Sequence, residues 1–387
     1  MILAALMALS VVAQGQGGYN YATGRQNNYI STGMPLQLIA PDAIAAGLGD
    51  AGVATTPDAY STHWNNAKFA FIDNNAGLST TYTPWLRKLG PDMNFLYLGG
   101  YKRLNKRSAF AASLTYFTMG VIQHTGEAGE ELGEYKPNEF SIDATYSMKL
   151  SDNLSLGATA RYLRSDLTQG MDVDGQTTKP ANGLAADVGL YYQQDIDAHQ
   201  RFALGAHISN LGNKLSYSND DTEKEFLPAN LRIGGRYSYE IDEYNRFSVM
   251  LDLNKLLVPT PPLRNGDTII SDYYSSFSDY HQTSTMMGAI QSFYDAPGGM
   301  GEELHEIQLS TGVEYWYAET FAVRAGYFYE HETKGGRQYV TLGAGLRYSI
   351  FSFDMSYIVP TTKISTHPLA HTVRIQLSVD LTPGRDF

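Results

Sequence analysis

The chain has 387 residues, no cysteine, and 28 Lys plus Arg against 40 Asp plus Glu, a formal charge of −12. The missing cysteine excludes disulfide frameworks, thiolate metal sites and cysteine nucleophiles, and the acidic balance argues against nucleic acid as a partner. Charged residues make up only 18% while Tyr reaches 28 against 16 Phe and 3 Trp, an amphipathic-ring excess unusual for a soluble domain.

At the start, MILAALMALSVVA (1–13) is followed by Gln14-Gly15-Gln16-Gly17. This run is shorter than the roughly 20 apolar residues of a spanning helix. It reads as the core of a secretory signal with small residues at Val11 to Ala13 for cleavage, giving a signal peptide over 1–17, although the first basic residue is Arg25. No other stretch is long and apolar enough for a helical span. Strands that cross a bilayer alternate and escape that measure.

Residues 18–75 form an N-terminal extension. From 33 onward it does not alternate, and Gly, Ala and Asp dominate from Ala40 to Asp58. A segment of about forty residues is too small to hold its own core. Lying just before a series of strands, it is expected to fill a barrel as a plug, or hatch.

From residue 76 the pattern changes to strict alternation. In the last run, Val373, Ile375, Leu377, Val379 and Leu381 alternate with Arg374, Gln376, Ser378 and Asp380. Such runs have one apolar and one polar face. Fourteen are predicted: 76–84, 93–104, 108–122, 138–150, 153–166, 181–194, 201–213, 227–240, 245–256, 305–317, 320–331, 338–349, 351–359 and 371–381. Most reach the roughly 9–11 residues that a tilted strand needs to cross a bilayer. Short connections alternate with long ones at 123–137, 167–180, 214–226, 257–304 and 360–370, as in an outer-membrane barrel with both chain ends on the periplasmic side. Tyr146, Tyr162, Tyr192, Tyr237, Tyr239, Tyr315, Tyr317, Tyr327, Tyr329, Tyr348 and Tyr357 share the apolar parity near strand ends, where two aromatic girdles would sit. A soluble β-sandwich also alternates but gives no reason for that placement. The predicted fold class is therefore all-β: a transmembrane antiparallel barrel over 76–387, with the N-terminal hatch in its lumen, in the outer membrane of a Gram-negative bacterium.

The polar parity carries both signs. Arg161, Arg232, Arg236, Arg324, Arg347 and Arg374 share it with Glu139, Asp143, Asp187, Asp252, Glu306, Glu314, Asp354 and Asp380. Mixed charge in a confined space is expected to pair and to brace a plug, whereas a one-signed ring would suggest an ion-selective pore.

Among the loops, 123–138 carries Glu127, Glu130, Glu131 and Glu134, and 257–304 carries Asp267, Asp272, Asp279, Asp295, Glu302 and Glu303. The long loop has no evident secondary structure, and such loops are usually functional or disordered. Its Tyr273, Tyr274, Phe277, Tyr280, Met286, Met287, Phe293 and Tyr294 suit a protein-binding surface, or else they bury themselves over the barrel mouth. Catalytic signals are weak. His207 and Ser209 share the lumen parity without a third member. His367 and His371 fall on a loop and a strand start. Asp172-Val173-Asp174-Gly175 lacks the distal acidic ligand of a calcium loop. No catalytic residue, metal ligand or cofactor is implied.

The hatch region carries a resemblance. Ala45-Ala46-Gly47-Leu48-Gly49-Asp50-Ala51-Gly52-Val53-Ala54, Pro57-Asp58-Ala59-Tyr60-Ser61 and His63-Trp64-Asn65-Asn66-Ala67-Lys68-Phe69-Ala70-Phe71 resemble the hatch of the PorV family (also LptO), barrels of the type IX secretion system that are similar to FadL long-chain fatty-acid transporters. The family's Asn-Pro-Ala triplet stands here as Asn65-Asn66-Ala67. The resemblance implies a non-enzymatic protein with four kinds of partner: the C-terminal signal domains of secreted cargo, the outer-membrane translocon barrel, the cell-surface sortase and attachment complex, and outer-membrane lipid with lipopolysaccharide. The other readings kept open are a FadL-like transporter of hydrophobic small molecules and a lipopolysaccharide deacylase.

Overall fold

The computed structural model describes residues 19–20, 25–26, 28–86, 92–125, 131–170, 172–173, 176–218, 224–265, 268–271, 273–361 and 369–381. The expected signal peptide lies outside them. Fourteen long strands are present: β1 (Ala76–Pro84), β2 (Met93–Arg103), β3 (Ser108–Met119), β4 (Asn138–Lys149), β5 (Leu154–Asp166), β6 (Ala181–Asp195), β7 (Gln200–Gly212), β8 (Asn230–Glu240), β9 (Asn245–Leu256), β10 (Gln308–Tyr317), β11 (Phe321–Tyr329), β12 (Gln338–Tyr348), β13 (Phe351–Pro360) and β14 (Val373–Asp380). Each pairs antiparallel with its neighbours, and β14 returns to β1 from Ile375↔Tyr82 to Asp380↔Gly77, closing the barrel.

The strands end where local chemistry stops them. The run expected to reach 122 ends at Met119 because Gly120 turns the chain at φ +79. The run expected from 227 starts at Asn230, after Pro228, which has no N–H to donate to a ladder. At the short-turn rim, Asn105 Oδ1 accepts from the N–H groups of Arg107 and Ser108, and Asp242 Oδ1 from those of Tyr244 and Asn245. Such side-chain turns fix hairpin corners without glycine.

Alternation decides which face meets what. Leu184, Ile233 and Val323 are 67, 51 and 58% exposed, while inward neighbours such as Asp187, Arg232 and Arg324 are buried. That is the inverse of a soluble protein, and it is stable only where hydrocarbon covers the outer face. Tyr82, Tyr116, Tyr162 and Tyr357 ring the long-loop rim; Tyr146, Tyr237, Tyr239, Tyr317 and Tyr348 ring the short-turn rim. Other tyrosines do not belong to either girdle: Tyr60, Tyr97, Tyr101, Tyr191 and Tyr339 are buried inside.

The chain before β1 runs through the lumen. It contains a 3-10 turn (Pro35–Leu38), α1 (Ala43–Ala46), α2 (Ser61–Trp64) and a second 3-10 segment (Asn66–Phe71). The wall is thinned to glycine where this segment touches it. A Cβ on Gly326 would lie 2.1 Å from the Gly49 nitrogen, one on Gly157 2.5 Å from the Ala67 nitrogen, and one on Gly205 2.4 Å from the Val53 oxygen.

Two outcomes follow. On cold gels the purified protein should migrate as a compact species that slows after boiling; identical mobility before and after heating would contradict a closed barrel. Gly326→Ala should displace the inner segment and destabilise by about 1–3 kcal/mol through overpacking. The readout is faster proteolysis between residues 34 and 72 than in Gly301→Ala, whose new Cβ meets nothing within 4 Å.

Candidate functional site: a braced lumen and an outer loop surface

The inner segment is held by hydrogen bonds from around the wall. Asp252 on β9 accepts from the backbone N–H groups of Gly52 and Val53 at 2.7 and 2.9 Å. Asn65 donates to the Val53 and Leu190 carbonyls, and its Oδ1 caps the second 3-10 segment by accepting from the Ala67 N–H. Asn66 donates to Thr159 Oγ1 at 3.0 Å, and the Ala67 carbonyl accepts from Ser147 and Ser155. The side-chain amide of Asn66 thus supplies a wall contact that a proline there would lack. Trp64 Nε1 donates to Asp42, whose other oxygen caps α1 at the Ala45 N–H. Gly52 meets Trp64 directly: a Cβ there would fall 2.1 Å from the indole. Gly47 closes α1, Gly49 adopts φ +68, and Asp50 accepts from the Tyr339 hydroxyl. Asp58 accepts from the Tyr60 N–H at 2.9 Å.

Lys68, which the hatch-like run includes without a role of its own, is fully buried and donates to the Gly52 carbonyl and Thr55 Oγ1 at 3.0 and 2.8 Å. The signal that could have exposed its role is a lone lysine inside an otherwise small and apolar run.

Six of the wall charges pair, in two clusters. Arg161 on β5 bridges Asp143 on β4 and Asp187 on β6 at 2.6 and 2.9 Å. Arg324 on β11 bridges Glu314 on β10 and, across β12, Asp354 on β13, both at 2.7 Å. The second reach passes over Gly345, where a Cβ would lie 2.4 Å from Asp354 Oδ1. Arg232 donates to the His63 carbonyl and Arg236 to Thr56 Oγ1. Arg347 departs from the expectation. It sits one residue from the end of β12, is 44% exposed and faces Glu319 at 3.5 Å, because parity alone does not tell the lumen from the rim.

The long outer loop is not featureless. It carries a hairpin (Leu263–Asn265 with Thr268–Ile270) and three helices: α3 (Phe277–Gln282), α4 (Thr285–Gln291) and α5 (Met300–His305). Ser276 and Ser284 cap α3 and α4 by accepting from the Asp279 and Met287 N–H groups. The Ser-x-x-Asp at 276–279 was a readable start signal. The aromatic and methionine side chains of the loop divide into a buried and an exposed set. Tyr274 and Tyr280 form the loop's own core with Phe226 and Val258, and Phe277 is half-buried. Tyr273, Met286, Met287, Phe293 and Tyr294 are exposed. Much of the acidic charge is internal: Glu303 and Glu306 hold Lys255 at 3.0 and 2.7 Å, and Glu302 holds Lys334 at 2.6 Å. Glu127, Glu130, Asp267 and Asp272 lie outside the described residues.

A cavity of about 190 Å³ sits beneath the outer loops, lined by Pro35, Leu36, Ile39, Trp85, Ile358 and Leu369 together with Arg337 and Arg374. Among the described residues the His207 ring and the Ser209 hydroxyl, both buried, have no hydrogen-bond partner and are not bonded to each other. His371 Nδ1 meets the Tyr357 hydroxyl at 2.6 Å; His367 and the 174–175 part of the calcium-like stretch lie outside the described residues.

Solved structures similar to this barrel include the CymD monoaromatic hydrocarbon channel, at 12% identity over 90% of this chain and 99% of that one with a TM-score of 0.50. They also include the toluene transporter TbuX of Ralstonia pickettii (13%, 87% and 96%, 0.49) and a FadL homologue of Pseudomonas aeruginosa (13%, 92% and 99%, 0.45). At such identities the likeness is one of fold. No curated protein sequence matches. The model of the family described as type IX secretion system protein PorV matches residues 22–263. With more than half its length matched and a closed barrel around a buried inner segment, this chain belongs to the PorV family of outer-membrane barrels of the type IX secretion system.

Proposed function

We propose that this protein receives secreted cargo at the outer face of the membrane by binding its C-terminal signal domain, and passes it from the translocon barrel to the surface sortase and attachment complex without catalysing a reaction itself. The observation that carries the reading is the combination of an inner segment bonded to the wall with an outer loop several of whose large apolar side chains are exposed. A channel needs space within the wall; a carrier needs a surface above it. The Tyr273–Tyr294 pair, edge to face at 5.5 Å, and the Met300 and Leu304 side chains of α5, 70 and 63% exposed, supply the aromatic and Met-rich contact such a surface uses. The loop is rigid enough to present them, since α5 is tied to the barrel through Lys255 and Lys334.

The runner-up, FadL-like passage of a hydrophobic small molecule, draws on the apolar cavity beneath the loops. Against it stands the sheet register, continuous from strand to strand except for one bulge between β6 and β7 at Ala186/Val188. That bulge is filled by Asn210, whose N–H donates to Asp187 at 2.7 Å and whose Nδ2 donates to the Pro228 carbonyl at 3.1 Å.

Loop seating carries a pH dependence. Burial, reinforced by the charge of Glu306, pushes the Asp295 carboxyl up to about 7, while in an unfolded loop it titrates near 3.9. A raised carboxyl pKa means that the contribution to stability is fully present below about pH 4 and is lost as pH rises through about 7. Amide protection over 277–300, taken relative to the intrinsic base-catalysed exchange rate, should therefore fall between about pH 4 and 7 and level off above, and Asp295→Asn should flatten that fall; an unchanged profile in the variant refutes the assignment. For cargo, the variant Tyr273→Ser/Met300→Ser/Leu304→Ser should weaken capture of an immobilised C-terminal signal domain at least tenfold, since truncated contact residues cost about 1–2 kcal/mol each. Undiminished capture by a variant that keeps heat-modifiable mobility would count against the reading.

A further inference from the structure

Helix α4 is packed inside out. Its buried positions are Gly288 and Ala289, while Met286, Met287 and Ile290 are 65, 51 and 58% exposed, and Phe293 just beyond it is exposed as well. No residue from Ser284 to Tyr294 is charged. A loop helix in water would bury its long apolar side chains and expose the small and polar ones.

The position of the helix explains the inversion. Ala289 packs with Ala229 and Leu257 onto Ile208, Leu211 and Leu231. Gly288 lies so close to Pro259 that a Cβ would meet its ring at 2.9 Å. Ile208 and Leu231 belong to the outward parity of β7 and β8, whose next outward residues toward the periplasm include Leu204 and Ile233, 49 and 51% exposed to the lipid side. The helix therefore lies on the outside of the wall at its outer rim, and its exposed face continues the apolar band upward.

From this continuity we propose that α4 is an interfacial membrane anchor: Met286, Met287, Ile290 and Phe293 seat in the acyl layer of the outer leaflet just below the headgroups, independent of any protein partner. Amphipathic segments with a continuous uncharged apolar face take that position. The anchor would pin the long loop to the bilayer on the β7–β9 side and leave Tyr273, Met300 and Leu304 above it.

The absence of native cysteine makes the test direct. Single variants Met287→Cys, Ile290→Cys, Ile233→Cys (wall) and Lys106→Cys (short turn) are labelled with an environment-sensitive nitrobenzoxadiazole dye. Each full chain is placed in phosphatidylcholine vesicles with and without acyl-brominated lipid, and only preparations with heat-modifiable mobility are used. Labels at 287 and 290 should show blue-shifted emission and at least half the bromolipid quenching of 233, while the label at 106 is quenched by aqueous iodide alone. Adding Ile290→Asp to the Met287→Cys chain should abolish lipid quenching at 287. Iodide access at 287 and 290 alongside normal lipid quenching at 233 overturns the proposal. So does shielding that appears only after a cargo domain or a partner barrel is added, which would make the face a protein-docking surface.

Discussion

Hydrocarbon supplies no hydrogen bonds, and that constraint organises the molecule. Every backbone N–H and C=O within the bilayer must find its partner in the protein, so the sheet cannot end in an edge and closes on itself through β14 and β1. Closure then creates a second problem inside. The inward parity carries Asp252, Arg232 and other polar groups into a space cut off from bulk water, and each needs a partner there. The segment from Met34 to Ile72 meets that need with backbone groups that lack full partners in its own short helices. Asp252 joining two consecutive N–H groups, and Arg232 joining the end of α2, are the same exchange seen from opposite signs of charge.

Much of this was legible in the sequence because barrel physics has a period. All fourteen strands were readable from two-residue alternation, and the departures at Gly120 and Pro228 arose where a backbone preference overrode the pattern. The segment before β1 stood apart as the stretch where alternation fails, and its Asn65-Asn66-Ala67 residues make a set of wall contacts. What parity does not encode is height along the barrel. Arg347 and Arg324 share a face and differ only in distance from the rim, yet one is exposed to solvent and the other braces three strands. Nor does it encode a loop that folds back over the outer surface. The aromatic and methionine residues of 273–294 carry no mark in the sequence that separates them, yet Tyr280 is buried with Phe226 and Val258 while Met286 points away.

The ion clusters show how a small-residue position serves a distant charge. Arg324 reaches Asp354 only because β12 presents Gly343 and Gly345 between them. Fully buried pairs of this kind contribute little net stability beyond what well-packed apolar groups would give. Their structural effect here is orientation: they fix neighbouring strands in register from the inside while lipid contacts, which are non-directional, act from the outside.

One detail of the last strand links the closing of the wall to its filling. β14 supplies the seam with β1, and the same strand carries Arg374 and Gln376, which hold the Ala40 carbonyl and the Ala43 N–H. A polypeptide halted before residue 373 would leave both an open margin and an untethered interior. The closing strand thus completes two tasks at once, and zippering the cylinder becomes a single cooperative step with securing what lies within it.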